Sequence, residues 1–149
     1  DDGYVDFPAI AKNPRFRKYL ESLGRANKSI HHRENEHMAF WINVYNAMAI
    51  KNVIEGGSTL SPVGRVAFFR LNQHRVGGRN FSLNDVKDVI VSYEDPRSHF
   101  AMSDSTYSAP SVLSEAYRKV NLDEQLERAA VNFLNDKRKN RFSRKTSIT

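Results

Sequence analysis

The chain has 149 residues, of which 40% are hydrophobic and 27% are charged, a balance typical of one globular domain. No apolar stretch approaches the roughly 18 residues of a membrane span, and from these residues we expect no secretory leader. Cysteine is absent, which excludes disulfides, thiolate metal sites and thiol nucleophiles. We expect a soluble domain, in the cytoplasm or elsewhere. Because the sequence starts at Asp1 without a methionine, we also expect it to be part of a longer protein.

The net charge of +6 comes from the C-terminal end of the chain. Residues 137–149 include no acidic residue and six basic ones: Lys137, Arg138, Lys139, Arg141, Arg144 and Lys145. Subtracting these six from the 23 basic residues of the chain leaves as many basic as acidic residues, 17 of each. We expect one domain over residues 1–137, followed over 138–149 by a basic tail or a truncated final strand. Such a tail would offer residues 137–145 to nucleic acid or anionic lipid, although a solvated extension is the simpler interpretation.

Two helices are predicted in the first third of the chain. Pro14 suits a first helical turn capped by Asn13, and Gly24 suits its end, which predicts a helix over residues 14–23. From Glu34 to Glu55, apolar residues recur at steps of three and four: Met38, Trp41, Ile42, Tyr45, Met48, Ala49 and Val53. This long helix is apolar on more than one side, which is typical of a helix at the centre of a core.

The second half of the chain predicts a hairpin, a strand and two helices. Gly77 and Gly78 join two short runs as a tight hairpin turn. Ser82, three residues before Asp85, is a predicted N-cap for the helix that follows. Residues 99–102 have the pattern of a short buried strand, and the apolar stripe over residues 121–135 predicts a final helix. The aromatic-rich segment 66–71 is left unassigned.

Four sequence blocks resemble the domain-of-unknown-function 547 family, and they occur in the family's order. They are Ala-Phe-Trp-Ile-Asn-Val-Tyr-Asn-Ala at 39–47, Val-Gly-Gly at 76–78 with Phe-Ser-Leu-Asn-Asp at 81–85, Asp-Pro-Arg-Ser-His-Phe-Ala at 95–101, and Leu-Asp-Glu-Gln-Leu at 122–126 with Phe-Leu-Asn at 133–135. The resemblance implies an α+β fold similar to papain-like and transglutaminase-like cysteine hydrolases. We expect the long central helix to pack on a small, mostly antiparallel sheet built from the hairpin and the His99 strand.

The chain departs from this family where reactive groups would stand. Many members continue after the Phe-Ala segment into Asn-Cys-Gly-x-x-Ser-Cys-Pro, and the two cysteine positions are Asp104 and Ala109 here. A helix position that carries histidine in many members is Asp88. A carboxylate is a far weaker nucleophile toward acyl groups than a thiolate. The substitutions favour a pseudoenzyme, a binding domain with a degenerate pocket.

His99 is the leading candidate for a functional side chain. A serine-type triad would combine it with Ser103 or Ser108 and a carboxylate from Asp85, Asp88 or Asp104. A binding pocket would be lined by Asn43, Asn46, Arg97 and His99. The structural alternatives are a buried histidine bonded to backbone carbonyls, asparagines in a polar network, and an arginine paired with Asp85 or Asp123.

The sequence predicts neither a metal nor a cofactor. His31, His32 and His37 are close in sequence but have no matching carboxylate geometry, and no Walker or HExxH pattern occurs. We therefore predict a non-catalytic binding or scaffold domain with protein partners, part of a longer protein or assembly. The alternative is a serine-type hydrolase or acyl-transferase that uses Ser108 or Ser103 with His99, and a third interpretation is nucleic-acid binding through the basic tail.

Overall fold

A computed structural model describes residues 5–27, 37–106 and 108–140 of the chain. The elements in chain order are α1 (Phe7–Lys12), α2 (Pro14–Gly24), α3 (Met38–Ile54), α4 (Pro62–Val66), a π-helical turn (Ala67–Leu71), β1 (His74–Val76), β2 (Arg79–Phe81), α5 (Leu83–Val91), α6 (Ser98–Ala101), a 3₁₀ turn (Lys119–Asn121) and α7 (Leu122–Asn135). None of the described helices is long and apolar enough to cross a membrane. The architecture is α+β, with helices predominating over one small antiparallel sheet.

The central helix α3 is buried on every side, as its sequence predicts. Ile42, Val44 and Ala49 are fully buried, and Trp41 and Met48 are 1% exposed. The helix packs most extensively on α5, and the ring of Trp41 lies 5.1 Å from that of Phe81 in the hairpin. A helix that is apolar all round needs neighbours all round, and here the hairpin and several helices supply them.

The hairpin and the helix after it follow their local sequence signals. β1 and β2 pair antiparallel, with Val76 opposite Arg79, and both glycines of the turn have positive φ, 56° at Gly77 and 81° at Gly78. Such a two-residue turn matches the twist of the paired strands. Ser82 caps α5 in a capping box: its Oγ accepts from the Asp85 N–H, and Asp85 Oδ2 accepts from the Ser82 N–H.

The segment after Pro96 was predicted as a strand, and this prediction is wrong. Ser98–Ala101 forms the short helix α6, and His99 on it is exposed. Asp95 starts this turn, because its side chain accepts from the Arg97 N–H at 3.0 Å and its carbonyl accepts from the Ser98 N–H at 3.1 Å. Within the described residues the sheet consists of β1 and β2 alone.

The first residues of the predicted tail fold back on the domain. After α7 ends at Asn135, the amides of Lys139 and Asn140 both donate to the Asp136 carbonyl. Lys139 Nζ donates to the Ala109 carbonyl and, at 3.2 Å, to Ser111 Oγ. The rest of the predicted tail or final strand, residues 141–149, lies outside the described residues.

Candidate functional site

The residues predicted as a serine-type triad are spread over different environments. His99 is exposed on α6, Ser108 is exposed in the following loop, and Ser103 is 4% exposed. Within the described part of the chain, no hydrogen bond joins the His99 ring to either hydroxyl. A nucleophile and its base need to lie within hydrogen-bond reach. A hydrolase that uses these residues stays a prediction, and this geometry does not favour it.

The carboxylates predicted to orient the histidine also have other roles or positions. Asp85 belongs to the capping box of α5, and Asp88 is exposed on the same helix. Asp104 closes a local turn, since its Oδ1 accepts from the Thr106 N–H at 2.9 Å and from Thr106 Oγ1 at 2.6 Å. Asp104 therefore stabilises the loop to which it belongs.

The two asparagines of the predicted binding pocket hold backbone instead of facing a cavity. Asn43 accepts from the Tyr117 N–H at 2.8 Å and donates to the Tyr117 carbonyl at 2.9 Å. Asn46 accepts from the Ser103 N–H at 2.8 Å and donates to the Ala101 carbonyl at 3.0 Å. Each amide satisfies two backbone groups that have no strand partner, which is the structural alternative foreseen for these residues.

Arg97 connects α6 to α7 through carboxylates of this chain. Its guanidinium bonds Asp95 Oδ2 at 2.8 Å and Asp123 Oδ1 at 2.7 Å, and it lies 3.5 Å from Glu127 Oε2. The hydrogen bonds that Arg97 donates to Asp95 and Asp123 raise the pKa of Arg97, and the bond to Asp95 lowers the pKa of the Asp95 carboxyl. Of the four predicted pocket residues, Asn43 and Asn46 bond backbone groups, Arg97 is paired with carboxylates and His99 is exposed, so a pocket built from them stays a prediction.

A different groove combines concavity with unbalanced charge. This Tyr45 groove has a volume of about 500 Å³. Its lining residues come from α3, from α4 and the π-helical turn, from α5 and from the Asp104 loop: Tyr45, Arg65, Val66, Phe69, Arg70, Asn84, Lys87 and Asp104. The chain brings these positions together because α5 packs against both α3 and the π-helical turn.

The cations of the Tyr45 groove are not neutralised. Arg65, Arg70 and Lys87 form no ion pair with a carboxylate of the described residues, and Asp104 is the acidic residue of the lining. Unpaired cations in a cleft raise the local concentration of anions and offer charge-assisted hydrogen bonds to phosphate or carboxylate. The groove therefore has the electrostatics of an anion-binding site.

Tyr45 keeps its proton in this setting. The residue is 5% exposed, and burial together with the negative charge of Asp104 raises the pKa of its hydroxyl well above the ordinary value. A protonated phenol can donate a hydrogen bond to an anionic oxygen in the groove. It cannot serve as a base near neutral pH.

Two other cavities differ from the groove in how their charges are satisfied. A cavity of about 470 Å³ beside α7 is lined by Arg128, Arg138 and Lys139, but Arg128 pairs with Glu115 and Arg138 with Asp136. A cavity of about 410 Å³ between α2, α3 and β1 is mainly apolar, and the cations of its lining are Arg17, Lys51 and Arg75, of which Lys51 pairs with Glu55. Among the described residues, neither cavity gathers three cations that lack a carboxylate partner.

The described residues contain no group of three or more histidine or acidic side chains close enough to hold a metal ion. His31 and His32 lie outside the described residues, so their predicted failure to form a metal site is not tested. Sequence reasoning missed Arg65, Arg70, Asn84 and Lys87 as site residues. The sequence did contain one signal, because residues 56–84 include four arginines and no acidic residue.

Comparison with known proteins identifies the family and leaves its chemistry open. No curated protein and no solved structure matches the chain, so the likeness to papain-like and transglutaminase-like hydrolases stays a prediction. A family described as "Protein of unknown function, DUF547" matches residues 30–134, which is more than half of the chain and includes every residue of the Tyr45 groove. The chain therefore belongs to the DUF547 family.

Proposed function

We propose that this domain is a non-catalytic binding module whose ligand places a phosphate or carboxylate group in the Tyr45 groove. The observation that carries the proposal is a set of three cations around one concave surface, none of them paired with a carboxylate of the described part of the chain. Guanidinium groups bind phosphate and carboxylate through two parallel hydrogen bonds, whereas a lysine contributes a compact charge. Arg65, Arg70 and Lys87 line the same groove and could each contact an anionic group bound there.

The arrangement of reactive side chains supports a binding role over a catalytic one. The groove lining contains no serine, threonine or histidine, and its tyrosine is held protonated. Asp104 is engaged by Thr106, so it serves to shape the loop. A site of this composition can hold an anion but has no activated nucleophile. The scaffold role follows if the anion belongs to a larger partner, which the domain would then recruit.

Titration with inorganic phosphate tests the proposal by two-dimensional NMR. We expect the amide resonances of Asn84 and Lys87 to shift with added phosphate, and Arg65→Ala/Arg70→Ala to weaken binding about tenfold or more, since each charge-assisted hydrogen bond is worth about 1.5–3 kcal/mol. The matched control is Arg15→Ala/Lys18→Ala, which removes two exposed cations from α2. Equal binding by the two double variants, or absence of shifts at Asn84 and Lys87, would refute the groove as the site.

A serine-reactive fluorophosphonate probe tests the non-catalytic part of the proposal. We expect no labelling of the native domain, because neither Ser103 nor Ser108 is hydrogen-bonded to the His99 ring. Labelling that disappears in His99→Ala but persists in His74→Gln would establish the serine-type alternative instead. This measurement is independent of anion binding and can fail on its own.

A further inference from the structure

We propose that the domain docks peripherally on anionic lipid bilayers, with Leu60 and Val63 inserted among the lipids and an anionic headgroup held in the Tyr45 groove. The inference rests on the proposed function, because the headgroup would be the anion that the groove binds. It adds the source of that anion and a second contact, the exposed apolar tip formed by residues 60–66.

The apolar tip contains three exposed aliphatic side chains near the groove. Leu60 is 97% exposed and Val63 is 80% exposed. Val66, three residues after Val63 on α4, is 47% exposed and lines the groove. Single exposed aliphatic residues are common on protein surfaces. Three within seven residues, next to a basic groove, form a continuous mixed surface.

The backbone of the apolar tip is held in place by its own hydrogen bonds. Ser58 Oγ accepts from the Leu60 N–H at 3.3 Å, and Ser61 Oγ accepts from the Gly64 N–H at 3.0 Å and so caps α4. A Cβ at Gly64 would lie 2.4 Å from the Ser58 carbonyl oxygen, so only glycine allows this close approach. The loop is therefore defined while Leu60 projects from it.

The charge around the apolar tip is complementary to an anionic membrane. No acidic residue occurs between Glu55 and Asp85. Arg65 lies within the tip, and Arg70 and Lys87 line the same groove together with Asp104. A basic residue near an anionic bilayer surface strengthens partition about fivefold. Aliphatic side chains that reach the acyl boundary add to this attraction.

The shape of the apolar tip favours a bilayer over an acidic peptide. A peptide partner normally seats its apolar side chains in a concave apolar groove of the receptor. Leu60 is almost fully exposed, so no neighbouring side chain forms the wall of such a groove. A projecting side chain needs a partner that closes around it, and lipid chains do so without a preformed cavity.

Sedimentation with sucrose-loaded vesicles tests the inference on the complete chain. We expect binding to vesicles of phosphatidylcholine with phosphatidylglycerol, weak binding to phosphatidylcholine alone, and release on raising the salt concentration. Leu60→Ser/Val63→Ser should weaken partition about tenfold and leave phosphate binding unchanged. The matched control, Val120→Ser/Leu134→Ser, changes two aliphatic residues that are 90% and 46% exposed elsewhere, and it should bind as the native domain does.

The possible outcomes separate this inference from the proposed function. Phosphate binding in the groove without vesicle binding would overturn the membrane inference and leave the proposed function standing. If Arg65→Ala/Arg70→Ala leaves vesicle binding unchanged, the membrane inference would be overturned too. Residues 137–149 would then suffice for vesicle binding. Leu60-dependent capture by soluble poly-glutamate, without vesicle binding, would identify an acidic peptide as the occupant. If the native domain binds neither phosphate nor vesicles, both proposals are refuted.

Discussion

At the residue scale, amide side chains do much of the work that strands would otherwise do. Asn43, Asn46 and Gln125 each bond two backbone groups in the stretch that begins at the last residue of α6 and ends at Arg118. The segments held in this way include Ala101 to Ser103, Tyr117, and Ala116 to Arg118. A buried loop must satisfy its N–H and C=O groups somewhere, and an asparagine or glutamine offers both a donor and an acceptor. The amides on α3 and α7 therefore fix the long connection between α6 and the 3₁₀ turn.

The cost of removing one such amide is measurable. Asn46→Ala would leave the Ser103 N–H and the Ala101 carbonyl buried without partners, and we expect a loss of about 2–4 kcal/mol in the free energy of unfolding. Asn132→Ala makes the same substitution at an exposed position of α7 and should change that free energy by less than about 0.5 kcal/mol. Urea unfolding of both variants measures the difference. Similar losses in the two would contradict a bridging role for Asn46.

His74 makes the stability of the domain depend on pH. Asn52 donates its amide N–H to the Phe68 carbonyl, so its Oδ1 is left to accept from His74 Nε2 at 2.9 Å. His74 is 7% exposed, and its burial lowers its pKa to about 4, with a further lowering by the positive charge of Lys51 and an opposing effect of the negative charge of Glu55. The native domain thus holds His74 neutral where the unfolded chain would protonate it.

The sign of this effect follows from the two pKa values. Between the unfolded value of 6.5 and the folded value of about 4, the unfolded chain binds more protons, so stability falls as the pH is lowered through this window. The contribution of His74 to the free energy of unfolding is complete above pH 6.5. It is lost by about pH 4, a change of at most about 3 kcal/mol in that free energy. His74→Gln should flatten the fall in unfolding temperature between pH 7.5 and 4.5, whereas exposed His99→Gln should not. Equal slopes in both variants would contradict this assignment.

At the element scale, the capping box of α5 is a local signal with a measurable stability. Ser82 is 3% exposed, and its reciprocal bonds with Asp85 satisfy two N–H groups at the start of the helix. We expect Ser82→Ala to lower the free energy of unfolding by about 1–2 kcal/mol. Because α5 supplies Asn84 and Lys87 to the groove, phosphate binding should weaken as well. Ser22→Ala on exposed α2 is the control, and an equal loss in the control would argue against the cap.

The sequence predicts the elements whose signals are local. Helices α2, α3, α5 and α7 and the Gly77-Gly78 hairpin are all found where periodicity, caps and turn residues indicate them. The apolar run 99–102 is too short for periodicity to separate a strand from a helical turn. The side chain of Asp95 accepts from the Arg97 N–H and so favours the turn. The groove was not predictable in the same way, because Arg65, Arg70 and Lys87 look like ordinary surface cations until α5 packs against the π-helical turn.

At the scale of the whole molecule, charge is segregated even though the body of the domain is nearly neutral. Carboxylates cluster at the α6–α7 side, where Arg97 joins Asp95, Asp123 and Glu127. Residues 56–84 have arginines and no carboxylate. The internal pairs neutralise Arg97 on that side, and the Tyr45 groove is a concave surface with cations available to an anion. The net charge of the domain alone would not reveal this surface.

The C-terminal end of the folded domain depends on contacts with residues far earlier in the chain. The charge pattern places the start of a tail at residue 138, yet Lys139 contacts the Ala109 carbonyl and Ser111, and Asn140 donates to the Phe133 carbonyl. We expect Lys139→Ala to lower the free energy of unfolding by about 1 kcal/mol, because it removes hydrogen bonds from a charged group at a half-buried position. Lys137→Ala, which removes the same charge at an exposed position two residues earlier, should change it by less than about 0.5 kcal/mol. Thermal unfolding of the two variants tests where the folded domain ends. If both variants unfold at the same temperature, the fold ends before Lys137. If only the Lys139 variant loses stability, the domain extends to Asn140.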